Sequence, residues 1–150
     1  MKTNKLHNEK PITSQSFEVG KILKMDITKN EGLIIKDNYQ SRLKFFVVIG
    51  QKINEGIVGV FLINSKINPK ALADYQFPLN MKDYSDVLIY DSYLDCSDIF
   101  VLDKVKIYNN GLEIGKLTEK DLKLVIYTIE RSEILTPIEK SDYGFKDKSN

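Results

Sequence analysis

Two uninterrupted runs of β-branched and aromatic residues constrain this chain more than any other feature. They are Lys44-Phe45-Phe46-Val47-Val48-Ile49-Gly50 and Gly56-Ile57-Val58-Gly59-Val60-Phe61-Leu62-Ile63-Asn64. A strand with one wet face alternates apolar and polar residues. A run without that alternation must be covered on both faces. The polar segment Gln51 to Glu55 between the runs is a turn, so the two runs form a hairpin at the heart of a sheet. Gly56 and Gly59 in the second run point to a strongly curved strand, of the kind small barrels need.

The remaining pattern surrounds that hairpin. Apolar residues at 17 and 19, then at 23, 25 and 27, alternate with a slip at Gly20, which predicts a strand with a bulge or bend. Asn30-Glu31-Gly32 is a turn signal, 33–36 a short strand and 37–41 a polar loop. Asn68-Pro69 marks a turn or a one-turn helix, and Pro78 places the extended segment 75–79 at an edge. Val87-Leu88-Ile89-Tyr90 reads as another buried strand, followed by alternation through 91–97 toward Ile99 to Leu102. Asn109-Asn110-Gly111 predicts a tight turn.

Helical signals gather near the C-terminus. Thr118 is a good N-cap with Asp121 at the third helical position, and apolar residues at 122, 125, 126 and 129 share one helical face. Thr136, Pro137 and Glu139 repeat the cap logic for a short second helix ending near Tyr143-Gly144. The expected fold is therefore α+β: a small, strongly curved antiparallel β-barrel closed by a C-terminal α-helix, with a short extra helix. Residues 16–145 are expected to form one domain, after a polar, flexible leader at 1–15 and before a charged tail at 146–150.

Composition narrows the function classes. Lys and Arg number 22 against 21 Asp and Glu, which argues against a passive, salt-driven nucleic-acid coat. No apolar run approaches the roughly 18–20 residues of a membrane helix, and the leader lacks the apolar core of a signal peptide. The expected setting is cytoplasmic, away from membranes. One cysteine, Cys96, cannot form an internal disulfide. One histidine, His7, leaves a histidine metal site or a Ser-His-Asp triad without its parts. No metal or other cofactor is expected.

Several residues could carry chemistry. Arg42, one of two arginines in the chain, precedes the first long strand and could hold a phosphate or stabilise charge developing on one. Asn64 and Ser65 end the second strand, where sites are often grafted, and equally suit a turn. Asp91, Asp95 and Asp98 could bind a cation or share acid–base work, or serve as turn caps on a solvated face. Cys96 reads as a structural thiol. Tyr39, Tyr75, Phe77, Tyr84, Tyr90 and Tyr93 could stack on bases or simply pack the fold.

Four pieces in this order resemble the MazF/PemK family of toxins. Phe17 to Asp26 resembles that family's opening strand. Arg42 followed by Phe45 to Ile49 resembles its arginine-proline-aliphatic strand. Val87 to Ser92 resembles its aliphatic strand ending in acid-glutamine. Ile114-Gly115-Lys116-Leu117-Thr118 is similar to its lead into the last helix. The resemblance implies an SH3-like barrel, a homodimer, an antitoxin-like protein partner and metal-independent cleavage of single-stranded RNA. It implies catalysis by Arg42 and Ser65; Asn64, Tyr39, Lys44 and Asp91 are the expected substrate contacts. The chain departs from the pattern at Val19, where the family has arginine, at the missing proline after Arg42, and at Leu94. The two lost arginines remove positive charge, which weakens RNA binding. A non-catalytic binding module on the same barrel, acting through protein or small-ligand contacts, is the rival reading.

Overall fold

The computed structural model describes residues 9–29, 41–66 and 73–149. The turn and strand expected over 30–36, most of the 37–41 loop, the Asn68-Pro69 turn, Tyr39 and His7 lie outside the described residues. Among the described residues, eight antiparallel strands form one sheet: β1 (Lys10–Pro11), β2 (Lys21–Thr28), β3 (Ser41–Lys52), β4 (Ile57–Asn64), β5 (Gln76–Leu79), β6 (Ser92–Asp95), β7 (Phe100–Asp103) and β8 (Leu112–Lys116). Their order is β1-β8-β2-β3-β4-β6-β5, with β7 also on β4. The described residues also form three α-helices: α1 (Lys104–Asn110), α2 (Glu119–Arg131) and α3 (Pro137–Asp142).

The two apolar runs pair as the central hairpin, β3 with β4. Side chains alternate across a strand. Val47, Ile49, Phe61 and Ile63 accordingly join one core with Val125 and Ile129 of α2. Phe46, Val48, Val58 and Val60 join a second core with Leu23, Met25 and Ile27 of β2, Ile107 of α1, Phe17 and Ile12. Both faces of the hairpin are thus dry, as its unbroken apolar runs require. A closed barrel would leave one inside; this sheet has a core on each face, and its edges β1 and β5 do not pair with each other among the described residues. The α+β class is as expected, on an open sheet.

The hairpin glycines have a more specific job than curvature. Register passes from Val48↔Val60 to Gly50↔Gly59, so β3 carries one extra residue, a bulge at Ile49. The paired glycines leave bare backbone, and Tyr143 lies on it. A Cβ on Gly59 would stand 2.7 Å from the Tyr143 ring, and one on Gly50 would stand 2.9 Å from Tyr143 Cβ. At the hairpin's end Gly56 has φ +64°, a left-handed conformation that glycine adopts without strain.

Four local expectations need correction. Val87 to Tyr90 is not a strand: the Tyr84 carbonyl accepts from the N–H groups of Val87 and Leu88, at 2.9 and 2.8 Å. Those are donors a ladder would need. Val87 and Leu88 are buried, Ile89 and Tyr90 exposed. Asn109-Asn110-Gly111 ends α1 instead of turning a hairpin. Asp103 caps the helix start by accepting from Val105 N at 2.9 Å, and the Gly111 N–H donates to the Ile107 carbonyl. Within 10–15, β1 pairs with β8, Ile12 is buried and Thr13 caps a 3-10 turn. Phe17 sits in a 3-10 turn (Ser14–Phe17), and the slip at Gly20 (φ +94°) is where the chain swings into β2.

The expected C-terminal helices are present. Thr118 accepts from Asp121 N at 3.1 Å, and Val125 and Ile129 are fully buried. Thr136 and Glu139 form a reciprocal capping box on α3. The charged tail is tied in, because Lys140, fully buried, donates to Asp147 Oδ1 at 2.7 Å and to the carbonyls of Glu130 and Ser132.

Candidate active site

The start of β3 and the end of β4 lie side by side, because the ladder runs Phe45↔Ile63 at that end. A cleft of about 280 Å³ opens there. Arg42, Lys44, Asn64 and Ser65 all line it, four residues expected at the site and contributed by two strands. Val87, Leu88, Ile89 and Tyr90 form its far wall. The segment misread as a strand is therefore a cleft wall. Ser65 and Arg42 are exposed, and Asn64 is half-buried.

Lys44 is the unusual member. It stands at the head of the apolar run of β3, and only 8% of it is exposed. Its Nζ donates to Asn64 Oδ1 at 2.7 Å. Among the described residues no carboxylate pairs with it. Strand alternation puts Arg42 and Lys44 on the same face of β3 as Phe46 and Val48, opposite the face on which Phe45 and Val47 share a core with Val87 and Leu88. Burial, and secondarily the Arg42 charge, push the Lys44 ammonium down to about 8. Both causes disfavour the charged form.

Asp91 lies between the wall residues Tyr90 and Ser92, and its Oδ1 accepts from the backbone N–H of Met81 at 2.8 Å. Asp95 Oδ1 accepts from Gln76 Nε2 and Ser97 N, each at 3.0 Å, and from the Ser97 hydroxyl. Both carboxylates act as turn caps. Burial, then the neighbouring Asp95 and Glu139 charges, raise the Asp98 carboxyl. Among the described residues no three ligating side chains converge. Burial pushes the Cys96 thiol up, which suits a structural role.

Other features lie away from this cleft. Arg131 stacks over the Tyr127 ring at 4.2 Å on α2. A larger depression of about 380 Å³ holds Lys10, Lys21 and Lys116 against Asp83, Asp86 and Glu113. Its charges cancel, with Lys21 and Glu113 paired at 3.2 Å. We therefore regard the smaller cleft, with its two cations and no carboxylate among the lining residues, as the chemically directed one. Sequence reasoning missed the apolar wall and the degree of Lys44 burial. The available signal was a lysine between Leu43 and the apolar run Phe45 to Ile49.

Comparison of the chain with family profiles and with curated proteins gives no match.

Proposed function

We propose that this chain is a MazF/PemK-like endoribonuclease that cleaves single-stranded RNA without a metal. The observation that carries this reading is the convergence of Arg42, Lys44, Asn64 and Ser65 on one cleft. RNA holds its own nucleophile: a 2′-oxygen attacks the adjacent phosphorus, and the P–O5′ bond breaks. The protein must orient the phosphate and stabilise the extra negative charge of the transition state. Arg42 supplies charge at the cleft mouth, and the Ser65 hydroxyl can donate to a non-bridging oxygen. The open sheet is, on this reading, a variant of the SH3-like barrel. A homodimer held in check by an antitoxin-like partner in the cytoplasm belongs to the same reading.

The test is cleavage of a mixed single-stranded RNA in EDTA by wild type and Arg42→Ala. Wild type is expected to cut, with the substitution lowering the rate by about 100- to 1,000-fold. Absence of cleavage by folded wild type removes the nuclease reading. The rival is a non-catalytic binding module, favoured by the exposed apolar groups Leu43, Ile89 and Tyr90 along the cleft. It gains if the cleft binds a peptide or small ligand and RNA is left intact.

A further inference from the structure

The cleft has an apolar side that the chemistry of phosphate does not use. Side chains alternate along a strand. The sheet residues on the side of Val87 and Leu88 are therefore Leu43 and Phe45 of β3 and Ile63 of β4, and the last two share a core with that wall. Above this floor the lining stays open. Leu43 is 52% exposed, Ile89 60% and Tyr90 53%. A single exposed apolar residue needs no explanation, but three large ones around one cleft mark a surface that a ligand covers. The ligand must also suit the polar lining, which includes Arg42 and Ser65 and no carboxylate. An apolar peptide side chain would match the wall and leave the arginine without a counter-charge. A nucleotide carries both chemistries, a flat ring joined through its sugar to an anion.

We propose that Leu43, Ile89 and Tyr90 form a slot for one unpaired nucleobase, which packs on them while its phosphate lies toward Arg42 and Ser65. The proposal rests on the nuclease reading above and adds the residues that tell single-stranded from paired RNA. The cleft, at about 280 Å³, is just under the roughly 300–1,000 Å³ of sites for drug-sized ligands. It takes one base and not a base pair. A base in a duplex is stacked on its neighbours and hydrogen-bonded to its partner, so drawing it into a slot is costly; in a single strand that cost is small. Every base offers a π-face to an aromatic ring, so the slot selects strandedness ahead of base identity.

The fluorescence of 2-aminopurine, which is quenched when this base stacks on an aromatic ring, tests the slot without requiring cleavage. The probe is a single-stranded RNA octamer with one central 2-aminopurine and 2′-fluoro sugars throughout, so the attacking oxygen is absent. Wild type is expected to bind it and quench its fluorescence. Tyr90→Ser and Leu43→Ser change exposed side chains, so the fold is not at stake. Each should bind about 5- to 100-fold more weakly and lose most of the quench. Tyr127→Ser, at a tyrosine of similar exposure on α2 (55%), should bind as wild type does. Annealing the probe to its complement should weaken wild-type binding by a similar factor, while Tyr90→Ser should hold the two forms about equally. Wild-type affinity in both cleft variants, or no quench with wild type, would overturn the slot, and cleavage of plain RNA in EDTA would keep the nuclease reading standing. Quenching by a wild type that leaves plain RNA intact would overturn the nuclease reading and support the slot as the site of a nucleotide-binding module.

Discussion

At the residue scale, Lys44 works against the fold. The Lys44 ammonium is lowered from its ordinary 10.5 to about 8 by burial and by Arg42. Its folded value lies below its unfolded one, so the unfolded chain binds more protons between pH 8 and 10.5. Stability therefore carries a penalty below about pH 8, and the penalty is relieved as pH rises toward 10.5. At about 1.4 kcal/mol per pH unit, the penalty at pH 7 is on the order of 3 kcal/mol as an upper figure. Lys44→Met should accordingly stabilise the protein at pH 7 by about 1–3 kcal/mol, with the gain fading above pH 10. Urea melts at pH 7 and pH 10 check this. A lower midpoint at pH 7 would mean that the Asn64 contact outweighs desolvation. Arg42, Lys44, Asn64 and Ser65 were all legible as candidates, because they punctuate the ends of apolar runs. The burial of Lys44 was not, because the strands that flank it, with Met25 on one side and Asn64 on the other, come from separate parts of the sequence.

At the element scale, the central hairpin was legible because unbroken apolar runs have few ways to be satisfied. The segments that misled had apolar content without enough length to set a period. Val87 to Tyr90 can be a buried strand or a buried turn by composition alone, and only the Tyr84 carbonyl, which takes two of its N–H groups, decides. The hairpin glycines hold a contact that composition does not reveal. Gly50 and Gly59 face each other under Tyr143. A methyl group at Gly59 would stand 2.7 Å from the Tyr143 ring and 3.1 Å from Ile99 Cγ2, so the ring must lift. Gly59→Ala should destabilise by about 1–3 kcal/mol. In a Tyr143→Ala background the same change should cost much less, a coupling that a double-mutant cycle in urea measures. Additive losses would show that the glycine serves strand geometry instead of the approach of Tyr143.

At the scale of the whole molecule, the segments before β2 and after α3 are drawn into one body. The segment before β2 contributes Ile12 and Phe17 to one core. The C-terminal segment locks itself through Lys140, which is 0% exposed and has three acceptors: two main-chain carbonyls and Asp147. The Lys148 N–H adds a bond to the Glu130 carbonyl at 2.8 Å. Polar sequence at both ends hid this, since the sequence shows charge but not which charge is buried. Hydrogen bonds from Lys140, then from Ser149, hold the Asp147 carboxyl down to about 2, below its ordinary 3.8. A depressed carboxylate stabilises above its unfolded value, and that contribution is lost as pH falls from about 4 to about 2. Asp147→Ala should therefore lower the melting temperature at pH 7 by several degrees, and the gap to wild type should close as pH approaches 2. The buried ammonium explains why the loss should exceed that of an ordinary surface pair: its carboxylate is gone while the charge stays inside. Adding Lys140→Met removes that charge, so the double variant should melt above Asp147→Ala alone. A double variant no more stable than Asp147→Ala would show that the two carbonyls satisfy Lys140 by themselves. The tail would then be a passenger on α3, and Tyr143 would reach its glycine platform without it.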